Sequence, residues 1–142
     1  MNKMISTYKI YALSATLLLL LLACTSDKQS GGQQVEGLKT ISVSKLHEKL
    51  GSAEKLVLLD TRSTDEYASG HLENARFVNF QTFSLEDVED IPKNTRIVIY
   101  CHSGGRSQRV GQQLVESGYK DVSNLEGGIV GWKANDLPVV QD

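Results

Sequence analysis

Cysteine is scarce in this chain, with two among 142 residues, Cys24 and Cys101. So low a count excludes a disulfide framework, and the lack of any Cys-x-x-Cys spacing argues against a thioredoxin-like redox pair. The three histidines, His47, His71 and His102, stand far apart and form no ligand-spaced pair with each other or with Cys101, so no metal site is expected. No internal repeat is visible. Basic side chains are scattered and no aromatic-basic patch occurs, which argues against a nucleic-acid partner. The longest apolar stretch, Leu13 to Ala23, falls short of the ~20 residues that a membrane-spanning helix needs.

That stretch has a different meaning. Met1 to Ile10 carries Lys3 and Lys9 and no acid, and the apolar run that follows contains six consecutive leucines, Leu17 to Leu22. A basic start, a short apolar core and a small residue read as a secretory signal peptide over residues 1–23. Leu21-Leu22-Ala23-Cys24 resembles the bacterial lipobox, which implies lipidation of Cys24 and anchoring in a cell envelope, with the domain facing the periplasm. Polar, glycine-rich Thr25 to Gly37 reads as a flexible tether, so that residues 24–37 link the anchor to a domain over 38–142. About 105 residues suffice for one domain and not two. Without residues 1–23, which hold two lysines and no acid, 13 basic side chains face 17 acidic ones, a formal −4.

Lipidation of Cys24 would leave Cys101 without a disulfide partner. A lone thiol in an exported protein calls for a chemical reason. The sequence supplies one in Cys101-His102-Ser103-Gly104-Gly105-Arg106-Ser107, placed between the β-branched run Arg96 to Tyr100 and a helix-like segment from Ser107. Strand, tight loop and helix start would aim backbone N–H groups and the positive end of a helix at one sulfur, favouring thiolate over thiol. The alternative, a buried cysteine acting as a small hydrophobe, fits poorly with a strand end followed by two glycines.

From Leu38 short apolar runs alternate with amphipathic stretches. Strands are expected at Thr40–Val43, Leu56–Asp60, Ala75–Phe80, Ile97–Tyr100 and Val122–Leu125. Helices are expected at Lys45–Leu50 with Ser44 as cap, Asp65–Ser69, Ser84–Asp90, Ser107–Ser117 with Gly118 as cap, and Gly127–Ala134. The pattern is α/β: a mostly parallel sheet with helices on both faces, three layers in all. Ligands of such folds bind beyond the carboxyl ends of the strands, where both Asp60 and Cys101 fall.

With these residues in view the chain resembles the rhodanese, or thiosulfate sulfurtransferase, family from about Leu38 to Val140. Asp60-Thr61-Arg62, Glu66-Tyr67 and Gly70-His71-Leu72 are similar to its amino-terminal signature, and Cys101-x-x-Gly104-x-Arg106-Ser107 to the active-site loop of single-domain members. Gly127-Gly128-Ile129, Trp132 and Leu137-Pro138-Val139 resemble its carboxy-terminal signature. Glu73-Asn74 and Asn135-Asp136 depart from the usual Pro-Gly and small-Gly pairs, at turn positions where Asn and Asp serve well.

The resemblance implies a sulfurtransferase in which Cys101 takes sulfane sulfur from a donor such as thiosulfate or a persulfide and passes it to a thiol or to cyanide. No cofactor is required. The N–H groups of His102 to Ser107 would cradle the anionic sulfur, with Gly104 and Gly105 allowing the loop to close. Arg106 is expected either to bind the donor or to hold the loop, and Ser107 to be the helix N-cap. His102 would sit at the rim, His71 and Trp132 would be scaffold and core or pocket wall, and Asp60 and Arg62 an ion pair bracing the site.

Two other readings compete. One is a non-enzymatic persulfide carrier or sensor. The other is phosphatase or arsenate reductase chemistry, whose loops have five residues between cysteine and arginine where this chain has four, His102 to Gly105. Donor, acceptor and oligomeric state are left open.

Overall fold

The computed structural model describes residues 37–141. The expected signal peptide, Cys24 and all but the last residue of the expected tether lie outside the described residues. Ten elements follow in order: β1 (Leu38–Ile41), α1 (Val43–Leu50), β2 (Val57–Asp60), α2 (Thr64–Ala68), β3 (Arg76–Phe77), a 3-10 turn (Leu85–Val88), β4 (Arg96–Tyr100), α3 (Gly105–Glu116), β5 (Asp121–Leu125) and α4 (Gly128–Ala134). Among the described residues no helix is long and apolar enough to cross a membrane.

The strands form one sheet in the order β1-β5-β4-β2-β3, and every pairing is parallel. Side chains alternate between faces along each strand, and two clusters result. Leu58, Val98, Tyr100 and Leu125 pack with Leu46 of α1 and Ile129 and Trp132 of α4. Leu59, Ile97, Ile99 and Val122 pack with Val110 and Leu114 of α3, Val88 of the 3-10 turn, and Tyr119. Burial on both faces is why Ile97 to Tyr100 is an unbroken apolar run. Central β4 delivers Cys101 to the middle of the sheet's carboxyl edge.

The expected α/β class with helices on both faces is the one observed, while several boundaries differ. The strand expected from Ala75 to Phe80 pairs only at Arg76 and Phe77, because beyond Asp60 the neighbouring chain turns away into α2. Helix α1 starts two residues earlier than expected, and Ser42 rather than Ser44 caps it, its hydroxyl accepting from Lys45 N. Ser84 to Asp90 yields a 3-10 turn rather than an α-helix. Ser107 is not a cap. Gly104 is the N-cap of α3, with φ of +105°, and Ser107 lies inside the first turn. Helix α3 ends at Glu116 with Ser117 rather than Gly118 as its C-cap, and Gly118 follows with φ of +93°, its N–H reaching Val115 O.

One buried ion pair ties this edge together. The Asp60 carboxylate accepts from Arg62 N at 3.0 Å, from Arg62 Nε at 2.9 and 3.0 Å and from Nη2 at 2.6 Å, while Nη2 also donates to Gly70 O at 2.8 Å. Neither side chain is more than 3% exposed. The expected pair therefore exists, and it binds the end of β2 to the turn after α2. Removing one partner strands the other charge in the interior. Asp60→Ala is expected to cost about 3–5 kcal/mol in urea unfolding, and adding Arg62→Leu to it should recover part of that loss.

Candidate active site

Cys101 begins where β4 ends, and the carbonyl of Tyr100 just before it is held by both the N–H (2.9 Å) and the hydroxyl (3.0 Å) of Thr61. The Tyr100 hydroxyl accepts from Leu72 N at 3.0 Å. Burial first, then the Asp60 carboxylate, push its acidity far below that of a free phenol. The residue behind the cysteine is thus pinned at both its backbone and its hydroxyl.

Cys101 is 1% exposed. Burial alone would push its thiol pKa up, yet the balance falls on the lower side. The Ser107 hydroxyl and the backbone N–H groups of Ser107, Gly104 and Ser103 stabilise the thiolate, with Gly104 N 3.1 Å from the sulfur. Gly104 earns its place by its left-handed backbone. Gly105 adopts no such conformation, and a methyl there would meet nothing within 4 Å, so loop closure does not require that second glycine.

The loop's carbonyls are held from outside. Ile129 N donates to Cys101 O at 2.9 Å and Val130 N to His102 O at 3.1 Å. Gly127 and Gly128 permit this approach, with φ of +71° and +55°, and a Cβ at Gly128 would lie 2.5 Å from Cys101 O. Asn124 Nδ2 donates to Gly104 O at 3.0 Å, and the Ser107 hydroxyl lies 2.7 Å from Asn124 Oδ1 and 3.1 Å from Gly104 O. Asn124 was invisible as a site residue in the sequence because it lies in a strand with no motif around it.

Glu66 is the other group that sequence reasoning left without a role. It closes the capping box of α2, accepting from Ser63 N at 3.1 Å and Ser63 Oγ at 2.9 Å. It also clamps Arg106, whose Nη1 and Nη2 each donate to one Glu66 oxygen at 2.6 Å. Arg106 above all holds the Glu66 carboxyl down at about 2, aided by Ser63 against partial burial. The Arg106 guanidinium also lies 5.0 Å from the centre of the Phe80 ring. Of the two roles expected for Arg106, bracing is the one its partners display. His102 is at the rim, its side chain 61% exposed and its Nδ1 3.9 Å from Glu66 Oε1. Ser103 is exposed beside it.

The sequence profile of the rhodanese-like domain matches residues 42–135. The chain belongs to the rhodanese-like domain family. It is 35% identical over 100 residues to a sulfurtransferase of Allochromatium vinosum, covering 70% of this chain and 92% of that protein. It is 36% identical over 101 residues to the putative sulfurtransferase YtwF of Bacillus subtilis, covering 71% and 96%. A tRNA uridine(34) hydroxylase of Buchnera aphidicola is 38% identical over 95 residues, which span 61% of this chain and 29% of the hydroxylase. Among solved structures, a rhodanese-like domain protein from Staphylococcus aureus superposes with a TM-score of 0.66 at 29% identity, covering 73% of this chain and 98% of that one.

Within this rhodanese-like domain the two departures from the family pattern are turns. Asn74 and Asp136 have φ of +61° and +56°, the left-handed conformation that glycine otherwise supplies. His71 is buried scaffold, stacked on Tyr67 at 3.8 Å and bridged through its backbone to Val140. Trp132 is nine-tenths buried and more, donates to Pro138 O at 2.8 Å and lines a cavity of about 250 Å³ with His47, Glu73 and Asn74. None of the loop from Cys101 to Ser107 borders that cavity.

The lowered Cys101 pKa means that the thiolate fraction falls only as pH drops through a midpoint below that of a free thiol. Ser107→Ala removes one stabilising donor, so its midpoint should move up. Ultraviolet thiolate absorbance, checked by iodoacetamide alkylation rates, measures both; equal midpoints would show that the Ser107 hydroxyl is not a determinant.

Proposed function

We propose that this domain is a sulfurtransferase whose nucleophile is Cys101. The observation that carries the reading is a buried sulfur at the end of β4 that accepts the Gly104 N–H at 3.1 Å, in a family with relatives named as sulfurtransferases. The Cys101 thiolate attacks the outer sulfur of a donor such as thiosulfate. A new S–S bond forms on the enzyme, the bond from outer sulfur to sulfonate breaks, and sulfite departs with the electron pair. An acceptor thiolate or cyanide then attacks the outer sulfur of the Cys101 persulfide and returns the Cys101 thiolate. Both the resting thiolate and the persulfide are anions, so the same fixed N–H groups serve each half of the cycle without reorganising. Arg106 and Ser107 hold the loop's shape, while Asp60 and Arg62 brace it from the neighbouring strand.

Intact-mass measurement before and after thiosulfate tests the step. The wild-type domain should gain the mass of one sulfur, lose it on adding cyanide, and release thiocyanate. Cys101→Ser should do neither while keeping its circular dichroism. A Ser variant with near-wild-type turnover would remove Cys101 from the mechanism, and turnover of phosphate esters without any sulfur gain would favour phosphatase chemistry.

We propose also that residues 1–23 are a lipoprotein signal peptide, that Cys24 carries the lipid, and that the chain up to Gly37 lets the domain stand off a bacterial envelope membrane. The basis is the Leu21-Leu22-Ala23-Cys24 sequence after a short apolar run. A single acyl chain binds a membrane only marginally, so stable anchoring requires more than one. Cys24→Ala expressed in a bacterial host should leave an uncleaved precursor without label from palmitate. Equal label on wild type and variant would place the lipid elsewhere.

A further inference from the structure

Basic side chains that are scattered along the chain are gathered by the fold. In an all-parallel sheet every strand starts at one edge and ends at the other, so β1, β2, β4 and β5 all start at the edge opposite Cys101. Along β4, Arg96 and Cys101 are roughly 16 Å apart. At this amino edge Arg96 bridges Glu54 and Asp121, which also bind Lys49 and Lys39, so three cations share two carboxylates. Beside them stand Lys55, Lys93 and Lys120, exposed and, among the described residues, without a carboxylate partner. The Lys120 N–H donates to Lys93 O at 2.9 Å, which sets those two residues side by side, and the Lys93 ammonium lies 3.6 Å from the centre of the Tyr119 ring. With Glu116 at the end of α3, and Lys133 and Asp136 around the end of α4, the edge holds seven cations against four carboxylates. The rest of residues 38–142 holds five against eleven.

Helix C-termini favour cations, which accounts for Lys49 in the last turn of α1. It does not account for the other three: α3 has no basic residue in its last turn, and Lys55, Lys93 and Lys120 each lie in a loop before a strand. Unpaired like charges held together repel one another, so stability does not explain them. The chain also enters the domain at this edge, because β1 begins at Leu38. From Cys24 the thirteen residues up to Gly37 reach at most about 45 Å. We propose that the amino edge docks on the anionic phospholipid surface that holds the anchor, with Lys55, Lys93 and Lys120 on headgroup phosphates and Cys101 facing away from the membrane. This rests on the lipid-anchor reading above. An anchor keeps the domain close over the bilayer, where a modest charge attraction suffices to orient it. In physiological salt that attraction reaches only about 8–10 Å, so it acts on the edge that touches the surface and not on the acidic remainder. Sulfur donors and acceptors then reach Cys101 from the aqueous side.

Lysine footprinting of the mature chain, purified from bacterial membranes in detergent, tests this without a variant. The protein is reconstituted on vesicles of phosphatidylcholine, with or without phosphatidylglycerol, and acetylated with acetic anhydride, and each lysine is read by peptide mass. Phosphatidylglycerol should slow acetylation of Lys55, Lys93 and Lys120 about fivefold. Lys45, in the first turn of α1 and away from this edge, should change by less than about twofold. Potassium chloride should abolish the protection, and alkylation of Cys101 by iodoacetamide should proceed equally on both vesicles. In a variant with all three lysines changed to glutamine and unaltered circular dichroism, Lys39 should lose its phosphatidylglycerol-dependent protection. Equal acetylation of the three lysines on both vesicles, protection that persists in high salt, or Lys45 protected as strongly as Lys55 overturns the proposal. Vesicle flotation reads the anchor separately. A chain that does not float with phosphatidylcholine overturns the anchor reading and this inference with it, whereas a chain that floats with both vesicles and shows no protected lysine overturns the docking alone.

Discussion

Everything at the carboxyl edge of this sheet follows from keeping a sulfur anion inside a protein. Burial at 1% exposure penalises the charged form of Cys101, and only donors fixed in advance reverse that penalty. A loop that turns its N–H groups inward must turn carbonyls outward, and buried carbonyls need partners as well. Ile129 N, Val130 N and Asn124 Nδ2 supply them. The loop is therefore a shell with two hydrogen-bonded surfaces, the inner one serving the sulfur and the outer one serving α4 and β5. Gly127 and Gly128 belong to this arrangement as much as Gly104 does, because a side chain at Gly128 would collide with the Cys101 and His102 carbonyls.

Charge at the site is organised by a second constraint. Arginines near a buried thiolate must be oriented without leaving an unpaired ion, and each is matched with a carboxylate from the segment that follows β2 or ends it. Asp60 holds Arg62 in the interior, where breaking the pair is costly. Glu66 holds Arg106 at the surface of the loop while also capping α2. One short stretch, Asp60 to Glu66, thus braces β2, starts a helix and pairs both arginines beside the Cys101 loop.

The layers and the order of elements were legible because apolar period and length distinguish buried strands from amphipathic helices. Edges were less so. Arg76 and Phe77 alone pair with β2, since pairing depends on where the partner strand ends, and nothing in Ala75 to Phe80 records that. Ser107 carries the residue type of an N-cap, yet Gly104 takes the position. The left-handed turn at Gly104 starts the helix earlier and sends the serine hydroxyl inward to Asn124 and the sulfur.

By itself the sequence determined the α/β class, the placement of Cys101 at a strand end before a tight loop, and the turns at Asn74 and Asp136. These are local matters, decided by side-chain period, strand length and the backbone freedom of a few residues. Only the tertiary structure decided which groups surround the sulfur. Asn124 is brought to Gly104 by the parallel pairing of β4 with β5, and Glu66 to Arg106 across forty residues of sequence by the pairing of β2 with β4. Neither partnership leaves a periodic trace in the chain, because each is a single contact set by the order of strands in the sheet.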